Sequence, residues 1–153
     1  MKVKLLLIGK TEDGYMQTGI KLYQSRLTHY MDLAITEIPA LKNTGNLSPK
    51  EFKKKEAELI FKKIYYKDFV ILLDEKGKEY SSIEFAAFLN KTERPITFII
   101  GGAYGFDDTV YERANGLISL SKMTFTHQMI RLIFAEQLYR AMTILNNESY
   151  HHI

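Results

Sequence analysis

Two short apolar runs constrain this chain more than anything else in it. Residues 68–74 read DFVILLD and residues 96–100 read ITFII, and neither alternates polar with apolar. A strand of that kind is covered on both faces, the habit of parallel sheets with helices packed above and below. The remaining segments agree. Val3–Ile8 is a short strand with a basic flank. From about Gly14 to His29 the apolar residues Ile20, Leu22, Tyr23 and Leu27 fit a helix, and Leu33–Ile38 alternates as a strand that stops at Pro39. Ser48-Pro49-Lys50-Glu51 opens a helix to about Tyr65, with Ser48 as cap, Pro49 at the first helical position and Glu51 closing a capping box.

After DFVILLD, a Lys-Gly-Lys turn leads to a second capping box, Ser81 and Glu84, and a helix to about Asn90. ITFII is followed by a short helix near Asp107–Asn115, a strand Leu117–Leu120 and a long helix from about Thr126 to Asn146. The long helix carries the stripe Ile130, Ile133, Phe134, Leu138, Ala141, Met142 and Leu145. Strands alternating with helices over 153 residues predict one domain, 1–153, of α/β class with a mostly parallel sheet flanked by helices.

Composition removes several chemistries. With no cysteine there is no disulfide, thiolate nucleophile or cysteine-bound zinc, and a reducing cytoplasm is the expected home. No apolar run is long enough to cross a bilayer. The opening MKVKLLLIGK has an apolar core of about five residues, below the roughly 7–15 of a signal peptide. A net charge of +3 permits an RNA partner without establishing one. The helical lysines Lys53, Lys54, Lys55, Lys62 and Lys63 read first as a solvated face, with RNA contact the minority reading.

The candidate sites begin with GGAYG, 101–105, at the end of a buried strand, where open α/β sheets bind ligands. No Gly-Lys-Ser/Thr follows, and the spacing is not G-x-G-x-x-G, so neither a phosphate loop nor a dinucleotide site fits. A tight turn needing positive φ and a close approach of backbone to a ligand both remain. Among the four histidines no metal-binding spacing occurs. His127 and Arg131 share a helical face, SKMTFT at 121–126 joins a strand to the last helix, and the tail NNESYHHI concentrates an aromatic and two imidazoles.

The segments LLDEKGKEYSS, FIIGGAYGF, LISLSKMTFTHQMIRLIFAEQLYRA and SYHH resemble the RlmH family, bacterial 23S rRNA pseudouridine N3-methyltransferases of the SPOUT class. The resemblance runs from KLLLIGK to the last residues. It implies a trefoil knot in the C-terminal part of the sheet, S-adenosyl-L-methionine as cofactor, a homodimer, and no metal. The implied substrate is a pseudouridine (position 1915) of 23S rRNA within the assembled ribosome. Carried over by position, the cofactor pocket takes Leu73, Gly101, Gly102, Leu120, Ser121, Lys122, Met123, Thr124 and Phe125, with Leu73, Leu120 and Met123 set to sandwich the adenine. Tyr150 and His151 are the implied catalytic tail, acting across the dimer, and Arg140 is the third implied catalytic residue, to hold phosphate or developing negative charge. Arg131, His127 and His152 are the implied substrate contacts. Thr126 stands where relatives carry proline and His152 where some carry arginine. A non-catalytic ribosome-binding factor on the same fold is the alternative, and pattern alone would also fit a flavin- or nucleotide-binding α/β protein.

Overall fold

The computed structural model describes residues 1–152. Its elements in chain order are β1 (Lys2–Ile8), α1 (Gly14–Leu27), β2 (Asp32–Ile38), α2 (Pro49–Phe61), β3 (Phe69–Glu79), α3 (Ser82–Lys91), β4 (Ile96–Ile100), α4 (Asp108–Arg113), β5 (Gly116–Ser119) and α5 (Met129–Leu145). The five strands form one sheet in the order β2-β1-β4-β3-β5, every neighbouring pair parallel.

The doubly covered strands do what their composition requires. Leu5, Leu7, Ile71, Phe98 and Ile100 face one helical layer built on Leu27, Phe85, Leu89, Phe134 and Leu138, from α1, α3 and α5. Leu6, Ile8, Val70, Leu72 and Ile99 face the other, built on Ala57, Ile60 and Val110 from α2 and α4. The first layer is locked by a phenylalanine triad, with ring centres of Phe98 and Phe134 4.8 Å apart and Phe85 6.1 and 6.0 Å from each. Connections through α1 and α3 step one way along the sheet on one face. Those through α2 and α4 step the other way on the opposite face, so all four crossovers share one hand.

Local signals set most boundaries. Ser81 and Glu84 form the reciprocal capping box, Glu84 Oε2 accepting the Ser81 N–H at 2.7 Å and Ser81 Oγ accepting the Glu84 N–H at 3.2 Å. At Ser48 the hydroxyl accepts the Glu51 N–H at 3.2 Å. Three ends differ from the sequence reading, each for a tertiary reason. Helix α2 stops at Phe61 rather than Tyr65, because Asp68 Oδ2 takes the Tyr65 N–H at 3.0 Å and bends the chain into a turn. Helix α5 begins at Met129, and Thr126 Oγ1 accepts its N–H at 3.1 Å as a cap. Most unexpectedly, the Lys-Gly-Lys stretch is strand. Asp74 Oδ1 accepts the Lys76 N–H at 2.8 Å and folds out a bulge, after which β3 rejoins β5 with Lys78 opposite Ile118. A Cβ on Gly77 would lie 2.5 Å from the Ile118 carbonyl carbon, so only glycine lets the two strands meet there.

Arg131 corrects an expectation outright. Instead of offering its charge to phosphate, its side chain is fully buried. The guanidinium donates to Ile8 O at 2.7 Å, Gly9 O at 3.0 Å, Thr11 Oγ1 at 2.9 Å and His127 O at 3.2 Å. The peptide oxygens at the end of β1 have no strand beyond to bond, and the planar fork of donors satisfies them together. Burial pulls its pKa down, with Glu37 and Glu12 opposing. One turn earlier, Gln128 does the same for the next loop, Nε2 donating to Lys10 O at 3.0 Å and Oε1 accepting the Glu12 N–H at 2.9 Å. Replacing Arg131 by Met leaves those acceptors buried and unpaired; we expect a loss of roughly 2–4 kcal/mol in urea unfolding.

Candidate functional site

Strands β4, β3 and β5 are adjacent, and the chain leaving their carboxyl ends encloses a cavity of about 650 Å³. That is within the range of small-molecule and cofactor sites. Its floor is Leu73, Ile100 and Ile118; one wall is the 101–106 loop and the other is the 119–127 segment, closed by Ile130. Of the residues expected at the cofactor, Leu73, Gly101, Gly102, Leu120, Ser121, Met123, Thr124 and Phe125 all line this cavity, whereas Lys122, which is exposed, does not. His127, expected at the substrate, also lines it. Met123 does not close over the space; it sits on the rim, 78% exposed.

The second wall is shaped by its own serines. Ser119 Oγ donates to Ser121 O at 2.9 Å, and Ser121 Oγ accepts the Met123 N–H at 2.9 Å, so the segment curls at once after β5. The glycines divide by role. Gly105 has φ +77°, the left-handed turn that glycine serves. Gly101 and Gly102 do not: a Cβ on Gly101 would lie 2.9 Å from the Phe106 ring, and one on Gly102 3.3 Å from Glu56 Oε2. Both are glycine because the backbone is pressed between the cavity and a buried side chain behind it.

Three residues of the site escaped sequence reading. Glu56, in α2, is only 4% exposed and stands behind Gly102; burial pushes its carboxyl up to about 7, and the Gly102 backbone hydrogen bond pulls the other way. Tyr111, in α4, lines the cavity and donates its hydroxyl to Asp74 Oδ2 in the β3 bulge. Burial first and Asp74 second push the phenol up to about 12, so it stays protonated at neutral pH. None of the three could be found by spacing, because each meets the site across the fold. The one available signal was a glutamate at an inward-facing position of α2.

The tail forms a separate group. Tyr150 OH donates to Glu136 Oε1 at 2.9 Å, Arg140 NH2 reaches the same oxygen at 2.5 Å, and the Arg140 guanidinium lies over the Tyr150 ring at 4.8 Å. Arg140 NH1 meets His151 Nδ1 at 3.2 Å; arginine can only donate, so Nδ1 carries the lone pair and Nε2 the hydrogen. Burial and hydrogen bonds to Tyr23 and Glu136 raise the Tyr150 phenol well above its usual range. Tyr30 anchors the preceding turn, its hydroxyl donating to Glu148 at 2.7 Å. Thus Tyr150, His151 and Arg140 stand together, yet none of them lines this chain's own cavity. His152 is exposed.

A cavity at the ends of three parallel strands, with two glycines in one wall and closed by the segment that enters the last helix, defines a class. The family described as "Predicted SPOUT methyltransferase" matches residues 1–151, and the chain belongs to it. At the level of individual proteins, it is 53% identical to the ribosomal RNA large subunit methyltransferase H of Parabacteroides distasonis, with 99% of each chain covered. It is 52% identical to that of Phocaeicola vulgatus and 51% identical to that of Christiangramia forsetii, at the same coverage. Membership implies the C-terminal knot, and the packing accords with it. Helix α5 leaves the edge strand β5 yet lies against both α1 and α3, which takes it past the β3–α3–β4 crossover.

Glu56 gives the site a pH signature. Its folded pKa is raised, so the folded state holds the proton more tightly, and stability is lost as pH rises from about 4.5 towards 7. Glu56→Gln keeps an acceptor for Gly102 and removes the buried charge. We expect the variant to be more stable than the parent at pH 8, by about 1–2 kcal/mol, with the gap closing below pH 5 in thermal unfolding.

Proposed function

We propose that this chain transfers a methyl group from S-adenosyl-L-methionine to N3 of a pseudouridine in 23S rRNA of the assembled ribosome. The observation that carries the reading is the cavity at the ends of β3, β4 and β5, which collects eight of the nine residues expected at the cofactor in a chain of this family. Its contents suit an adenosyl group: apolar Leu73, Ile118 and Leu120 to cover a planar base, and close backbone at Gly101, Gly102 and 119–125 to read its edge. The bound cofactor supplies a methyl group already activated on a sulfonium, so the protein's task is orientation and the fate of one proton.

The N3–H of the acceptor is weakly acidic and must be met by a positioned polar group. Tyr150, His151 and Arg140 form the one such unit among the expected residues, held rigid by Glu136. His151 presents its Nε2–H outward from Arg140, suited to bond a base carbonyl, and Arg140 tempers charge developing nearby. Since this unit lies off its own chain's cavity, the complete site takes the cavity of one protomer and the tail of another, in a homodimer working in the cytoplasm.

The test is methylation of ribosomes lacking the modification, with the product nucleotide identified by mass spectrometry. Stoichiometric binding of S-adenosyl-L-methionine by calorimetry and a single N3-methylated pseudouridine are expected. A folded protein that binds neither the cofactor nor its demethylated product would overturn the reading in favour of a non-catalytic ribosome-binding factor. The shared site has its own check. Gly102→Val and Arg140→Ala should each lose activity by about 100-fold or more, and mixing the two inactive proteins should restore part of it. No recovery on mixing would place tail and cavity in the same protomer.

A further inference from the structure

The arginine expected at the substrate, Arg131, is buried on carbonyls, and the side chain of Arg140 is already paired with Glu136 in the tail unit. The chain's positive charge lies elsewhere. Residues 50–67 carry seven lysines against three glutamates, a surplus of four that exceeds the +3 of the whole protein, so the remainder is net negative. One of those glutamates, Glu56, turns inward, leaving Glu51 and Glu58 as the only acidic groups of this segment on the surface. None of the seven lysines makes an ion pair among the described residues.

This basic face is joined to the cavity. At the start of α2, Phe52 packs edge-on against Tyr104 with ring centres 5.3 Å apart, and Tyr104 lies on the cavity-lining loop with 60% of its surface exposed. At the far end, about 20 Å along the helix, Tyr65 and Tyr66 stand 69% and 83% exposed. Lys67 Nζ lies 5.7 Å from the Tyr66 ring centre. Exposed rings interleaved with unpaired lysines are what a single-stranded nucleic acid uses, bases stacking on the rings while ammonium groups follow the phosphates. Lysines rather than arginine forks position a backbone without reading base identity.

We propose that the outer face of α2 and Tyr104 form the RNA-docking surface of this protein: Tyr104, braced by Phe52 at the cavity mouth, stacks a base next to the acceptor, and Lys54, Lys55 and Lys62 hold the phosphates that follow. The proposal rests on the reading of the chain as an rRNA methyltransferase and identifies where the RNA lies.

Three variants test it with steady-state methylation of unmodified ribosomes across a salt series. Tyr104→Ala should lower kcat/KM about tenfold while Tyr104→Phe restores it, since the ring and not the hydroxyl stacks. The triple variant Lys54→Gln, Lys55→Gln, Lys62→Gln should raise KM at unchanged kcat and reduce the slope of log KM against log salt by about two. Calorimetric affinity for S-adenosyl-L-methionine should stay at the parent value in the triple variant, whose lysines lie outside the cavity, which also shows that it folds. Parental KM and salt slope in the triple variant overturn the proposal. So does a raised KM with an unchanged slope, which would indicate a protein rather than an RNA partner. If the parent itself methylates nothing, the functional reading has failed instead, a result separate from either.

Discussion

One buried guanidinium ties the molecule together. Arg131 reaches from the first turn of α5 to the carbonyls at the end of β1, and on the way fixes the carbonyl of His127. A buried cation without a contacting carboxylate is tolerable only where several oriented dipoles converge, and strand ends supply them. The consequence for the site is geometric. The 119–127 wall is strung between β5 and α5, so anchoring the base of α5 to the end of β1 fixes both ends of that wall. Gln128, bridging Lys10 and Glu12, makes the same attachment twice.

With that anchor in place, the cavity needs little specialised chemistry. One wall is kept thin by Gly101 and Gly102 and backed by Phe106 and Glu56. A buried carboxylate whose pKa sits near neutrality is a costly brace for a loop, and it marks the glycine wall as the part of the site most sensitive to its support. The lysines of α2 lie outside the cavity, where solvent lowers the self-energy of closely spaced charges.

What the sequence disclosed follows the range of the forces involved. Capping at Ser81 and the doubly buried β4 depend on residues within a few positions, and their boundaries were legible. The grouping of Leu73, the two glycines, Leu120, Ser121 and 123–125 around one cavity was legible only through resemblance to a family, since three separate strands contribute, and Lys122, expected with them, falls outside it. Arg131 was misread because its environment is set by carbonyls more than 120 positions away, a fact that no local pattern carries. The Lys-Gly-Lys stretch looked like a turn because its glycine could mean either a bend or a close approach, and Ile118 decides which. The same ambiguity hid the reason for Gly101 and Gly102, whose glycine is demanded by what lies behind them.

The long reach of Arg131 also sets a schedule for folding. The carbonyls that end the first strand are made early in synthesis, and the donors that satisfy them lie 120 or more residues later. Nascent chains that have not yet delivered α5 therefore hold a sheet with an unsatisfied central edge and a partly uncovered apolar face. Such topologies pay loop-closure entropy before any long-range contact rewards them, so they fold slowly. The growing chain is accordingly most exposed to chaperones and proteases before α5 emerges to satisfy those carbonyls.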